Sequence, residues 1–245
     1  MTEFEHTLLD GKVRLIQMDR GYRSGIDSIF LAAAVPAKAG ENVLDLGCGV
    51  GTVSFCLGAR VRGVNIFGLD TQKKLVKLAC KNRNLNDFGG KLHFFHGDLL
   101  HPPYVLSVLR FDHVMLNPPF FEANKGNLPI DETRVISNIE GEAILIDWIK
   151  AAYKALRVKG SISIIYCADR VDDLLAALNN GFGDIIIFPL WSAEGKNAKR
   201  IIVNARKDVD GPATINSGII LHDNDGSYSD RAEGILKGAL SLNGS

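Results

Sequence analysis

Apolar and polar positions along this chain fall into two periodicities. After Gly40, short apolar runs of strand length alternate with longer segments of helical spacing. Residues 42–46 (NVLDL) form a buried run that ends in glycines, 52–60 reads as a helix, and 65–69 as a second buried strand. Helical spacing returns over 71–85, where Leu75, Leu78 and Ala79 share a face and Thr71 is placed to cap the first turn. Strands are predicted at 92–95, 113–116 and 161–166, with a helix over 140–156 before the last of these, and further strands at 184–188 and 200–205. Strands separated by helices predict an α/β fold: an open, doubly wound, mostly parallel sheet with helices on both faces. Such sheets bind ligands at the carboxyl ends of their strands, near the switch in strand order.

The flanks depart from that rhythm. Residues 1–38 hold a hairpin pattern, with Leu8 and Leu9, a turn at Asp10-Gly11 and a strand over 13–18, followed by a helix opened by Asp27. Residues 207–245 carry the turn signals Asp210-Gly211-Pro212 and Asp225-Gly226, a strand around 214–221 and an amphipathic helix from about 230 to 240. The expected organisation is an N-terminal extension, 1–38, and a core domain, 39–245, with its own C-terminal extension from about 207.

Composition narrows the partners. Among 245 residues, 28 Lys and Arg balance 28 Asp and Glu, so no global field advertises nucleic acid and any such partner needs a local basic patch. Basic candidates are Lys73, Lys74, Lys77, Lys81 and Arg83 on one helix, Lys196, Lys199 and Arg200 in a loop with Asn197, and Arg20 and Arg23 ahead of the first helix. Charge runs are usually solvated faces, so charge alone assigns none of these groups a partner. Cys48, Cys56, Cys80 and Cys167 form no C-x-x-C pair and have no histidine at ligand spacing, which predicts reduced thiols and no metal site. The six histidines show neither metal nor triad spacing, and a structural role is expected for each. The N-terminus MTEFEHTLLDGK is acidic where a signal peptide wants a basic region, and the longest apolar run, 29–35, cannot span a bilayer. A cytoplasmic protein is expected.

Candidate chemistry lies at successive strand ends. Asp45-Leu46-Gly47-Cys48-Gly49-Val50-Gly51 closes the first core strand, and its glycines let backbone turn tightly and approach a ligand. It is not the dinucleotide fingerprint, which needs glycine where Thr52 stands. The next strand ends at Asp70, where a carboxylate can accept ribose hydroxyls, and the third at Gly97-Asp98-Leu99, where a second can accept from an adenine amino group. Each feature alone is an ordinary turn or cap; together they describe the zwitterionic end, ribose and adenine of S-adenosylmethionine.

The segment MLNPPFF, residues 115–121, cannot be the middle of a strand, because proline lacks the ladder N–H and pushes its predecessor into extended backbone. It is a stiff exit. An exocyclic base amine has its lone pair delocalised into the ring and needs orientation more than deprotonation. The side-chain oxygen of Asn117 and a carbonyl held outward at Pro118 and Pro119 can each accept one amino hydrogen. Phe120 offers a face on which a base stacks, worth about 1–3 kcal/mol. Phe121 either lines the same pocket or packs under it.

Taken together, D-x-G-x-G-x-G at 45–51, Asp70, Asp98 and N-P-P-F at 117–120 resemble class I S-adenosylmethionine-dependent methyltransferases of the subgroup that methylates planar nitrogens. Within it the chain is similar to the bacterial tRNA (valine) adenine-N6 methyltransferases, through Gly21-Tyr22-Arg23-Ser24-Gly25-Ile26-Asp27 upstream, Arg134 downstream and the tail Asp225-Gly226-Ser227-Tyr228-Ser229 with its closing helix. The resemblance runs nearly end to end. It implies a Rossmann-like class I methyltransferase fold and methyl transfer to N6 of adenine in a tRNA near the anticodon. It further implies cofactor contacts from Asp45, Gly47, Gly49, Gly51, Asp70, Asp98, Leu99 and Gly25, catalysis by Asn117, Pro118, Pro119 and Phe120, and substrate contacts from Phe121 and Arg134; of the basic groups, the helix cluster flanks the cofactor side, so Lys199 and Arg200 in the loop are expected to contact the RNA. Phe120 stands where the subgroup more often has tyrosine, and guanine N2 enzymes also carry phenylalanine there, so guanine N2 stays open beside adenine N6. Glutamine N5 methylation of a protein is a further alternative, although that family usually carries a longer helical N-terminal domain. A cofactor-binding module without catalysis is the alternative from another class, and the intact N-P-P-F argues against it.

Overall fold

The computed structural model describes residues 3–18, 25–119, 143–179 and 181–242. The chain opens with an antiparallel hairpin, β1 (Glu3–Leu8) and β2 (Val13–Met18), with Leu8 opposite Val13. The apolar helix α1 (Ile26–Ala34) follows, and then the alternating core: β3 (Asn42–Leu46), α2 (Thr52–Arg60), β4 (Asn65–Asp70), α3 (Lys73–Arg83), β5 (Leu92–His96), α4 (Tyr104–Val108) and β6 (Phe111–Leu116). Beyond residue 142 come α5 (Leu145–Ala155), β7 (Leu156–Cys167), α6 (Val171–Leu178), β8 (Phe182–Trp191) and β9 (Ala198–Lys207). Two short strands, β10 (Thr214–Ile215) and β11 (Ile219–Ile220), and α7 (Asp230–Leu236) complete the described elements.

The strands of the core join one sheet in the order β10, β8, β9, β7, β6, β3, β4, β5, with β11 also pairing β8. From β7 through β6, β3 and β4 to β5 every pairing is parallel; only β9 runs against its two neighbours. The chain winds outward from β3 to β5 and then returns to lay β6 on the other side of β3, so the strand order switches between β3 and β6.

Side-chain alternation divides the core between the two faces. Val43, Ile66, Met115, Ile165 and Ile202 pack with the hairpin, α1, α2 and α7, whereas Leu44, Leu69, Val114, Leu116 and Ile164 pack with α4, α5 and α6. Both extensions contribute to the first of these layers: Leu9, Val13 and Leu15 from the hairpin and Ala232, Ile235 and Leu242 from the tail are buried there. Arg60 at the end of α2 ties down the tail by donating to the carbonyls of Ile235 and Leu240.

Several boundaries differ from the sequence reading for local reasons. Helix α3 begins at Lys73, capped at Gln72 rather than Thr71, because the Asp70 carboxylate takes the Gln72 N–H at 2.7 Å. Helix α5 begins at Leu145, where the Asp147 carboxylate accepts the Ile144 N–H at 3.2 Å; residues 140–142 of the expected helix lie outside the described residues. Strand β7 starts directly at Leu156, well before 161, so the helix passes into it without a loop. The expected strand at 214–221 is two two-residue strands, and the tail helix stops at Leu236, with Gly238 at φ +73° closing it. Helices α4 and α6 were not expected. His113 serves the amino end of the sheet, where its Nδ1 lies 2.7 Å from Ser161 Oγ and its Nε2 2.9 Å from Glu41.

Candidate active site

In-register parallel pairing sets four loops side by side. Leu46 pairs with Leu69 on one side and Leu116 on the other, and Asp70 pairs with His96. The next residue along each of the central strands therefore forms a row on the carboxyl rim: Asp70, Gly47 and Asn117, neighbours at about the 4.8 Å strand spacing. This row sits at the topological switch.

The glycine loop is stitched to β4. Gly47 N–H and Cys48 N–H both donate to Leu69 O, at 2.8 and 3.1 Å, and Gly49 N–H donates to Asp70 Oδ2 at 2.9 Å. Gly47, Gly49 and Gly51 all have positive φ, at 72°, 55° and 88°, so the three glycines are required by the turn itself. Their surroundings differ. A Cβ at Gly47 would come within 2.8 Å of the Trp148 ring and one at Gly51 within 2.5 Å of Phe55, but a Cβ at Gly49 meets nothing within 4 Å. The loop is thus backed by aromatic rings and open above its middle glycine, the shape of a cradle for a ligand.

Three carboxylates stand at or near the ends of β3, β4 and β5. Asp45 follows the parity of Val43 and points to the α2 face, where Ser54 Oγ donates to it at 2.6 Å. It is 2 % exposed, and burial pushes its carboxyl up to about 7, with the Ser54 hydrogen bond opposing and the nearby Asp70 charge adding to the rise. Asp45 therefore ties the end of β3 to α2. Asp70 is also raised by burial, against which the N–H groups of Gln72 and Gly49 act; it both shapes the loop and ends β4 at the rim. Asp98, two residues beyond β5, accepts the Leu100 N–H at 2.9 Å through one oxygen, and Leu99 beside it is half-buried. Gly25 is the extended cap residue of α1.

Asn117 and Pro119 are half-buried and Pro118 is buried as the chain leaves β6. Phe120, Phe121 and Arg134 lie outside the described residues. Lys199 and Arg200 lie in strand β9 and not in a loop, because the β8–β9 pairing continues out to Trp191 and Ala198. Arg200 pairs with Cys167 across β7 and β9, and its guanidinium bonds Asp27 Oδ2 at 3.0 Å, fastening the first turn of α1 to this end of the sheet. Sequence reasoning missed Ser54 and Trp148. Ser54 carries a faint signal, a hydroxyl on the apolar face of a helix; Trp148 carries none, since it reaches Gly47 from a helix far along the chain.

The comparisons with known proteins agree with this geometry. Residues 23–187 match the family model described as methyltransferase small domain. A curated relative from Actinobacillus pleuropneumoniae serotype 7 (strain AP76), named tRNA1(Val) (adenine(37)-N6)-methyltransferase, is 24 % identical over 86 % of this chain and 87 % of its own. One of the same name from Flavobacteriaceae bacterium (strain 3519-10) is 30 % identical over 42 % of this chain and 43 % of its own. In fold, the chain resembles a crystal structure of a protein described as a predicted O-methyltransferase from Agrobacterium tumefaciens, with a TM-score of 0.72 at 21 % identity over 88 % of this chain and 97 % of that one. An S-adenosylmethionine-dependent O-methyltransferase from Thermotoga maritima gives 0.54 at 16 % identity over 78 % and 68 %. With a glycine cradle, acids at adjacent strand ends and a family match across two thirds of its length, the chain belongs to the methyltransferase small domain family and is an S-adenosylmethionine-dependent methyltransferase.

Proposed function

We propose that this enzyme methylates the exocyclic N6 of an adenine in RNA, with a tRNA, near its anticodon, as the substrate. The observation that carries the reading is the Asn117-Pro118-Pro119 exit from β6, one strand spacing from Gly47 in the glycine loop. The names of the curated relatives that align over most of the chain support the choice of base and of RNA.

Bound S-adenosylmethionine supplies an activated methyl group. The chain's own residues supply binding and alignment. Gly47, Gly49 and Gly51 receive the cofactor's amino-acid end, with Asp45 tying the strand before them to α2; Asp70 accepts from the ribose and Asp98, with Leu99 alongside, holds the adenine end, while Gly25 closes the site from the start of α1. Asn117 and the carbonyl held at Pro118 and Pro119 each accept one hydrogen of the target amine. That arrangement favours a nitrogen whose lone pair is directed at the methyl group instead of shared with the ring. Phe120 stacks on the extruded base and Phe121 lines its pocket, as a base in folded RNA has to leave its stack to be modified. Arg134, Lys199 and Arg200 contact the RNA, and Arg200 is held in place by its bond to Asp27. No helix among the described residues is long and apolar enough to cross a membrane, and we place the enzyme with its RNA in the cytoplasm.

Purified protein incubated with methyl-labelled S-adenosylmethionine and total tRNA lacking the modification is expected to label the tRNA, and digestion to yield N6-methyladenosine. Label recovered as N2-methylguanosine, or in a release factor and not in RNA, overturns the assignment.

A further inference from the structure

Helix α3 carries one polar side chain that is wholly buried, Asn82. Its amide makes three hydrogen bonds, both donors included. The Oδ1 accepts the Ile16 N–H at 2.7 Å, and the Nδ2 donates to Ile16 O at 3.1 Å and to Val50 O at 3.1 Å. Asn82 thus pairs with the free edge of hairpin strand β2 as a neighbouring strand would, and spends its remaining N–H on the glycine loop. Four residues on, past the end of α3, Asn86 makes the same paired contact with Arg14, accepting its N–H at 3.0 Å and donating to its O at 2.8 Å; it also donates to Asn82 O at 2.7 Å and has no hydrogen bond to the loop among the described residues. Asn82 is not required to form the helix, for which the residue type is mediocre.

We propose that Asn82 is a positioning residue for the cofactor: it fixes the Val50 carbonyl between Gly49 and Gly51 and makes the shape of the cofactor loop depend on the docked N-terminal hairpin. The loop alone has three glycines and little intrinsic rigidity. Asn82 removes that freedom at its midpoint, from a helix anchored on two sides. Because coupling between two sites is reciprocal, ligand at the loop and hairpin docking must stabilise one another. The inference rests on the S-adenosylmethionine site and not on the identity of the RNA.

The comparison of Asn82→Asp with Asn86→Ala tests it, using the full chain, S-adenosylmethionine titration calorimetry and initial rates. Asn82→Asp keeps the acceptor for Ile16 N–H and loses both donors. It is expected to raise the cofactor Kd and KM by about tenfold, the scale of one lost buried hydrogen bond, with kcat at saturating cofactor within about threefold of wild type. Asn86→Ala loosens the same hairpin and should leave the cofactor Kd within about twofold. Equal weakening in both variants would make the effect one of hairpin docking alone, and an unchanged Kd in Asn82→Asp would remove the link to the loop; either overturns the proposal. A measurement on the wild-type protein covers the case in which Asn82→Asp fails to fold. Saturating S-adenosylhomocysteine should slow hydrogen exchange at the Ile16 amide several-fold, and an unchanged exchange rate there overturns the coupling.

Discussion

The open space above Gly49 makes a direct test of where the cofactor sits. A methyl added by Gly49→Ala meets no atom within 4 Å, and the Gly49 N–H bond to Asp70 survives. What the folded protein loses is the left-handed backbone preference at φ +55°, about 1–2 kcal/mol for a residue with a Cβ. For a chain of this size that lowers the melting temperature by about 2–8 °C. Gly51→Ala is the contrast. Its methyl would stand 2.5 Å from Phe55 Cε2 and 3.1 Å from Phe94, and Phe55 is fully buried with nowhere to move. Overpacking of this kind adds about 1–3 kcal/mol to the backbone strain. If the cofactor occupies the cradle, Gly49→Ala fills part of that volume and should raise the S-adenosylmethionine Kd at least tenfold, about 1.4 kcal/mol, while keeping most of the stability. Differential scanning fluorimetry and isothermal titration calorimetry read the two quantities separately. A Gly49→Ala protein that binds cofactor like wild type refutes the cradle, and one that melts as early as Gly51→Ala refutes the loop packing.

Other expectations concern the rim. Asn117→Ala should abolish methyl transfer while leaving the cofactor Kd within about threefold, under the 1.4 kcal/mol of a tenfold change; binding lost in step with activity would mean that the side chain holds the fold. Asp70→Ala should weaken cofactor binding before it affects turnover at saturating cofactor, because Asp70 ends β4 where the ribose is proposed to sit and braces Gly49; a selective fall in kcat would contradict that. Asp45 gives a pH signature. Burial keeps its proton on up to about pH 7, whereas the unfolded chain releases it near 3.8, so the native state holds the extra proton between those values. Stability should therefore decline as pH rises from about 4 to about 7, by at most about 4 kcal/mol from this group. Urea unfolding of wild type and Asp45→Asn at pH 5 and pH 8 isolates it, and the same pH slope in both proteins would refute the assignment.

Much of the site was legible in the chain because its residues are bound to strand ends. A parallel sheet delivers the carboxyl ends of its strands to one rim, so a motif that closes an apolar run needs no further information to be placed there. Asp45-Leu46-Gly47-Cys48-Gly49-Val50-Gly51, Asp70 and Asn117-Pro118-Pro119 are of this kind. Helices α4 and α6 escaped notice because one is a single short turn and the other is too short to repeat its spacing. Lys199, expected in a loop just ahead of the strand at 200–205, lies inside β9 because strand pairing, not local polarity, decides how far a hairpin extends; with β8 alongside, β9 begins at Ala198.

What the amino-acid order by itself determined was the doubly wound sheet, the glycine turn and the acids and asparagine that end its strands, since apolar period, glycine and proline act over a few residues. What only the tertiary structure decided was how those groups are held. Ser54 reaches Asp45, Trp148 backs Gly47, and Asn82 joins Ile16 to Val50 across 66 and 32 positions of chain. Likewise Asp45 is buried against α2, because side-chain alternation along β3 sends it to the face where Ser54 stands. Contacts of this sort depend on which faces meet once the sheet closes, and no local pattern encodes that meeting.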